Sequence, residues 1–129
     1  MVLLYVALGG ALGSVLRYVL GGAVQRAAHA GFPYGTLFVN VVGCFLIGVF
    51  MRMFMNAEPS SSERAFLIVG LCGGFTTFST FSSETLGLFE GGAYLRAALY
   101  VLASLVLCLA ATGAGYAVAR TSGIAVHGR

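Results

Sequence analysis

The chain has 129 residues, 59% of them hydrophobic and 9% charged, with a mean hydropathy of +0.95. These values place it among integral membrane proteins and leave no room for a separate soluble domain. The seven basic residues are all Arg and the four acidic ones all Glu, a net charge of +3; with no basic cluster, this excess concerns orientation and anionic lipid and argues against nucleic acid as a partner.

A helix that crosses a bilayer needs about 20 mostly apolar residues, and four segments reach that length, over residues 2–24, 36–55, 65–89 and 97–119. The reading is therefore an all-α membrane protein, one transmembrane domain over residues 1–129. The first segment lacks the basic flank of a signal peptide, has too long an apolar run for one and carries Arg17, so it is expected to be a mature helix. Gly9 and Gly13 have the small-xxx-small spacing that lets helix backbones approach closely. Arg17 either snorkels or belongs to a positive vestibule that gathers anions.

The second segment holds Asn40, its only core amide, within Leu37-Phe38-Val39-Asn40-Val41-Val42. An unpaired amide is costly there. It either donates an N–H to a passing anion or fastens this segment to the third. The connections, Gln25 to Gly35, Asn56 to Arg64 and Glu90-Gly91-Gly92, have turn compositions, so neighbouring helices are expected to run up and down.

The third segment contains the most informative run, Gly70 to Glu84, which reads GLCGGFTTFSTFSSE. Paired glycines, Phe75, Phe78 and Phe81 three residues apart, and six hydroxyl side chains would weaken an ordinary spanning helix. Such a run is tolerable where it is buried in protein or lines a polar path. Unwinding at Gly73-Gly74 and Thr76-Thr77 would free carbonyl oxygens at membrane depth, either to coordinate a small hard cation such as Na⁺ or to be capped by Thr hydroxyls at a kink. Phe rings have electropositive edges that attract an anion weakly when turned towards a pore, as conduction requires; the alternative is that they pack against another helix. Glu84 would repel an anion, so its carboxylate is expected to be hydrogen-bonded at the wall or mouth of a path.

In the fourth segment Tyr100, Ser104, Cys108, Thr112 and Tyr116 follow one another at intervals of four, along one ridge. They form either a track of hydrogen-bond donors for a dehydrating anion or a set of interhelical ties. Tyr116 drifts off the line. Cys44, Cys72 and Cys108 lie inside apolar runs and read as small buried hydrophobes. His29 and His127 are too far apart to start a metal cluster. Arg52, Arg64, Arg120 and Arg129 lie on the side of the termini, against Arg26 and Arg96 on the other. A bias this small permits insertion in both orientations.

At these residues the chain resembles the CrcB (Fluc) family of microbial fluoride channels. The likeness is carried by Gly73-Gly74-Phe75-Thr76-Thr77-Phe78-Ser79-Thr80-Phe81-Ser82 with Glu84, by Gly35-Thr36-Leu37 with Asn40, and by Gly13 to Arg17-Tyr18. The resemblance implies an antiparallel, dual-topology homodimer in a prokaryotic cell membrane, with the third helix broken mid-membrane. It implies paired fluoride pores and a structural Na⁺ at the dimer centre, held by the carbonyls of Gly73 and Thr76 of both protomers. Phe78 and Phe81 would present ring edges along each pore, Asn40 would donate to fluoride, and Tyr100, Ser104, Cys108 and Thr112 would continue the polar track. Cys108 departs from the family's usual Ser, and a thiol is the weaker donor. The implied function is passive export of fluoride, with no enzymatic step. A proton-coupled exporter would want a carboxylate in mid-helix, and Glu84 near a helix end is its sole candidate. A purely structural protein would leave the Phe repeat and the hydroxyl ridge unexplained.

Overall fold

The computed structural model describes residues 1–28, 31–55 and 62–122. His29, His127, Arg129 and the turn expected from the sequence around Glu58 and Pro59 lie outside them. All secondary structure among the described residues is helical, and four helical stretches are long and apolar enough to cross a membrane. They are α1 (Val2–Ala28), α2 (Tyr34–Met53), a composite third stretch (Ser62–Glu90) and α6 (Tyr94–Thr121). The composite stretch is α3 (Ser62–Arg64), a π-helix (Ala65–Cys72), α4 (Gly73–Phe75) and α5 (Phe78–Glu90).

Three of the four stretches outrun the apolar runs that mark them in the sequence, and α2 is shifted towards the N-terminus, ending at Met53 rather than Met55. α1 continues through Gln25 and Arg26, good helix formers with no reason to stop there. α2 starts at Tyr34, directly after Pro33, whose φ of −81° leads into a helix without an N–H to satisfy. α5 and α6 are joined by a tight turn in which Gly92 has φ of +75°, a conformation that suits glycine.

Two helix pairs carry most of the packing: α1 lies along the π-helix and α4, and α2 lies along α6. Both contacts bring backbone against backbone at glycines. Gly9 and Gly13 of α1 face the main chain at Phe66, Leu71 and Phe75, and Gly70 and Gly74 face α1 at Val6 and Gly10, so small-xxx-small spacings interlock from both sides. Between α2 and α6, a Cβ at Gly48 would strike the carbonyl of Thr112, and one at Gly115 would strike the carbonyl of Phe45. Thr36 and Tyr100 meet at Glu84 near the start of both helices and Gly48 meets Thr112 further along both, so α2 and α6 run parallel. Much apolar surface stays exposed on α1 and α6, including Leu3, Tyr18, Leu95, Leu102 and Leu109. A protein in water does not sustain such a surface; lipid or a second copy covers it.

Gly113 and Gly115 sit on the same helix, and a Cβ at Gly113 would meet nothing within 4 Å. Gly115→Ala is expected to cost about 1–3 kcal/mol through overpacking, whereas Gly113→Ala is expected to be neutral or to stabilise by roughly 0.4–1 kcal/mol. Thermal unfolding of the two variants in detergent checks the contrast.

Candidate functional site

The centre of the molecule is the two-residue gap between α4 and α5. Thr76 (φ −84°, ψ 156°) and Thr77 (φ −149°, ψ 113°) have extended backbone, so the helical ladder stops at Phe75 and restarts at Phe78. Two side chains take over its hydrogen bonds. Asn40 on α2 accepts from the Thr77 N–H through Oδ1 at 2.8 Å and donates from Nδ2 to the Thr77 carbonyl at 3.1 Å. An amide side chain thus pairs with Thr77 as a neighbouring strand would. The Thr77 hydroxyl then caps α5, accepting from the Thr80 N–H at 3.2 Å and donating to Thr80 Oγ1 at 2.9 Å. Gly43, one turn along α2 from Asn40, leaves room for the gap, since a Cβ there would strike Thr76 Cγ2 and touch the Phe75 ring.

These substitutions leave particular carbonyls without their helical donors. In a continuous helix the Gly73 carbonyl accepts from the Thr77 N–H and the Thr76 carbonyl from the Thr80 N–H. Here the first N–H is held by Asn40 and the second by the Thr77 hydroxyl. Gly73 is also exposed, with open space beside it. Thr76 turns its own hydroxyl back to the Cys72 carbonyl at 2.9 Å.

α2 and α6 present matching ridges. Glu84 on α5 links their first positions: Thr36 Oγ1 donates to its Oε1 at 2.8 Å and the Tyr100 hydroxyl to its Oε2 at 2.7 Å. One turn on stand Asn40 and Ser104, then Cys44 and Cys108, then Gly48 against Thr112. Tyr100 is fully buried, with its ring 5.1 Å from Phe81 and 5.5 Å from Phe32, edge-on to the latter. Phe78 lies 5.4 Å from Phe81 and is 77% exposed.

Two cavities meet at Thr77. The first, about 390 Å³, is lined by Arg17, Gln25, Thr36, Thr77, Thr80 and Glu84 among others. The second, about 330 Å³, has Thr77, Asn40, Phe78, Phe81, Ser104 and Cys108 in its wall, together with Gly73 and Thr76. Ser104 Oγ in the second cavity is buried and without a hydrogen-bond partner. A buried hydroxyl left unpaired is costly.

The structure thus gathers Asn40, Gly73, Thr76, Phe78, Phe81, Ser104 and Cys108 around one cavity, with Arg17 and Glu84 at the other. Thr112 is placed apart: its hydroxyl donates to the Cys108 carbonyl at 3.1 Å and lines neither cavity. Tyr116 leaves the ridge and points its hydroxyl at Met55 Sδ, 3.5 Å away. Asn40 acts as a fastener between α2 and the gap, and its pairing with Thr77 uses one of the two amide N–H groups. Thr36 and Thr80 take parts that sequence reasoning did not assign, while the Thr77 hydroxyl caps α5, in line with the Thr-capped kink, one of the two readings of this run. The signal for Thr36 was available, because Thr36, Asn40, Cys44 and Gly48 repeat at the same four-residue interval as the α6 ridge.

A bundle of apolar spanning helices built around an interrupted third stretch, with an unpaired hydroxyl and phenylalanine rings lining one cavity, defines a small polytopic membrane protein. The chain belongs to the CrcB-like family: the family model described as "CrcB-like protein, Camphor Resistance (CrcB)" matches residues 4–116. A protein of Thermus thermophilus named "Fluoride-specific ion channel FluC" is 54% identical over 113 residues, covering 88% of this chain and 90% of its own. Proteins of the same name from Agrobacterium fabrum and Geobacter sulfurreducens are 51% and 50% identical, covering 89% and 92% of this chain and 93% and 96% of theirs.

Asn40→Asp keeps the acceptor for the Thr77 N–H and sets an oxygen against the Thr77 carbonyl. This variant is expected to lose roughly 1–3 kcal/mol, the usual effect of leaving a buried partner unsatisfied. Asn40→Gln, which retains both groups at a different reach, is expected to lose less. Thermal unfolding in detergent measures both.

Proposed function

We propose that this protein is a fluoride-selective passive ion channel that carries fluoride out of the cytoplasm of a prokaryote across its cell membrane. The observation that carries the reading is the unpaired Ser104 hydroxyl, buried in a cavity whose wall also holds Asn40, Phe78 and Phe81. A small anion that has shed water needs donors, and Ser104 Oγ–H and the second Asn40 N–H are available to it. The rings of Phe78 and Phe81 add electropositive edges, which attract without the fixed charge that would trap the ion. The names of the relatives in Thermus, Agrobacterium and Geobacter support fluoride as the anion.

The path begins at the larger cavity, where Arg17 offers a positive mouth. Glu84 stands in the same wall, with each carboxylate oxygen occupied by a donor from Thr36 or Tyr100. The anion then passes Thr77 into the smaller cavity, meets Asn40, Phe78, Phe81 and Ser104, and continues by Cys108. Thr112 joins the track only if its hydroxyl turns away from the Cys108 carbonyl. Transport needs no catalysis and no coupling. Fluoride trapped inside after entry as HF leaves down the membrane potential, which contributes about 2.3 kcal/mol for each ~100 mV.

The working unit is an antiparallel homodimer inserted in both orientations. The exposed Phe78 ring, the open surface at Gly73 and the weak Arg asymmetry support it. In that dimer the helix gap lies mid-membrane, where lone carbonyls need a partner. The carbonyls of Gly73 and Thr76, deprived of their helical donors, fit a hard cation, and both protomers together would hold a structural Na⁺. That ion supplies positive charge and ties the protomers at the centre.

Valinomycin-driven fluoride efflux from liposomes tests the path. Phe78→Ile, Phe81→Ile and Ser104→Ala are each expected to slow efflux at least tenfold, about 1.4 kcal/mol or more of added barrier, while migrating as dimers. Wild-type rates in all three would remove the cavity from the path.

A further inference from the structure

We propose that Cys44 and Cys108 form a two-thiol site for a soft, thiophilic cation inside the smaller cavity. The pairing follows from the register of α2 and α6. Thr36 and Tyr100 meet at Glu84, and Gly48 meets Thr112 in backbone contact, so the position between them on these parallel helices sets Cys44 opposite Cys108. Both thiols line the cavity, as does Cys72, and both Cys72 and Cys108 lie within interaction range of Cys44, but only Cys108 is in hydrogen-bond contact with it. All three cysteines of the chain are free.

The donor set selects the metal. Among the described residues no group of three or more His, Cys, Asp and Glu side chains is placed to hold a metal, so tetrahedral Zn²⁺ and harder ions lack ligands. A cation content with two sulfurs, such as Hg²⁺, has what it needs. It exchanges two of its water or chloride ligands for the two sulfurs. Each thiol gives its proton to solvent, and no oxidation state changes. Two thiolates on a divalent ion leave no net charge, which suits an apolar interior where an isolated charge is costly. The bound ion would stand beside Ser104, Phe78 and Phe81 and obstruct the path. The blockade, though not the binding, rests on the pathway reading.

The test uses mercuric chloride and the purified protein in detergent, followed by intact-mass spectrometry after exposure to a monothiol at about 0.1 mM. That lies below the roughly millimolar effective concentration at which one thiol of a pair sees a metal held by the other. Wild type and Cys72→Ala are expected to retain one mercury per protomer with loss of two protons. Cys44→Ser and Cys108→Ser are expected to retain at least about tenfold less. Equal retention by either Ser variant, or loss of retention in Cys72→Ala, would overturn the pair. In liposomes, mercury is expected to slow wild-type fluoride efflux about tenfold, with recovery on adding a dithiol. Each Ser variant, compared with its own rate before mercury, is expected to keep that rate. Retention of mercury with unchanged wild-type efflux would overturn the blockade alone. Absence of efflux before mercury is added would count against the channel and leave the binding result standing.

Discussion

The rest of the structure depends on the paired hydrogen bonds between the Asn40 side chain and the Thr77 backbone. A helix interrupted inside a bilayer exposes N–H and C=O groups that lipid cannot satisfy. Asn40 resolves this for Thr77 in both senses, and the Thr77 hydroxyl resolves it for the start of α5. What the two side chains take, they take from the carbonyls of Gly73 and Thr76. The gap is stabilised on its α2 side, and oxygen acceptors are created on another side as a direct consequence. Stability and carbonyls without their helical donors arise from the same bonds.

Helix packing explains why Asn40 can reach. Gly43 lets α2 lie against Thr76 and Phe75, while Gly48 and Gly115 bring α2 and α6 into backbone contact. Glycines on α1 and on the π-helix do the same on the other side of the gap. In a membrane, where lipid tails are as apolar as the helices, close packing of this kind replaces the hydrophobic drive. The polar residues then fall on a shared inner face: Thr36 with Tyr100 at Glu84, Asn40 with Ser104, Cys44 with Cys108. Ser104 alone among the buried side-chain polar atoms described has no partner.

Much of this was legible in the sequence. Four spans follow from apolar length, and the clash between a spanning helix and Gly73-Gly74 with six neighbouring hydroxyls marks the third as the special one. The need of Asn40 and Glu84 for partners was also readable, because buried polar groups demand them. The identity of those partners was not. Tyr100 meets Glu84 across the tight turn between α5 and α6, but Thr36 is 48 residues away in sequence and only the packing of α2 brings it to the same carboxylate. The π-helix over Ala65–Cys72 left no signal either, since its residues read as any apolar helix would. Thr112 shows the limit of ridge arguments: spacing puts it in line with Ser104, yet its hydroxyl bonds to its own helix, an option that periodicity does not reveal.

The central claim is that this narrow, donor-lined path passes fluoride and rejects a larger halide without energy coupling. The direct measurement is efflux from liposomes holding the purified protein, driven by a potassium gradient with valinomycin, with fluoride and then chloride inside and an ion-selective electrode outside. The account predicts rapid fluoride loss and no chloride loss. Equal loss of both ions, or no fluoride loss from vesicles shown to contain folded protein, would contradict it.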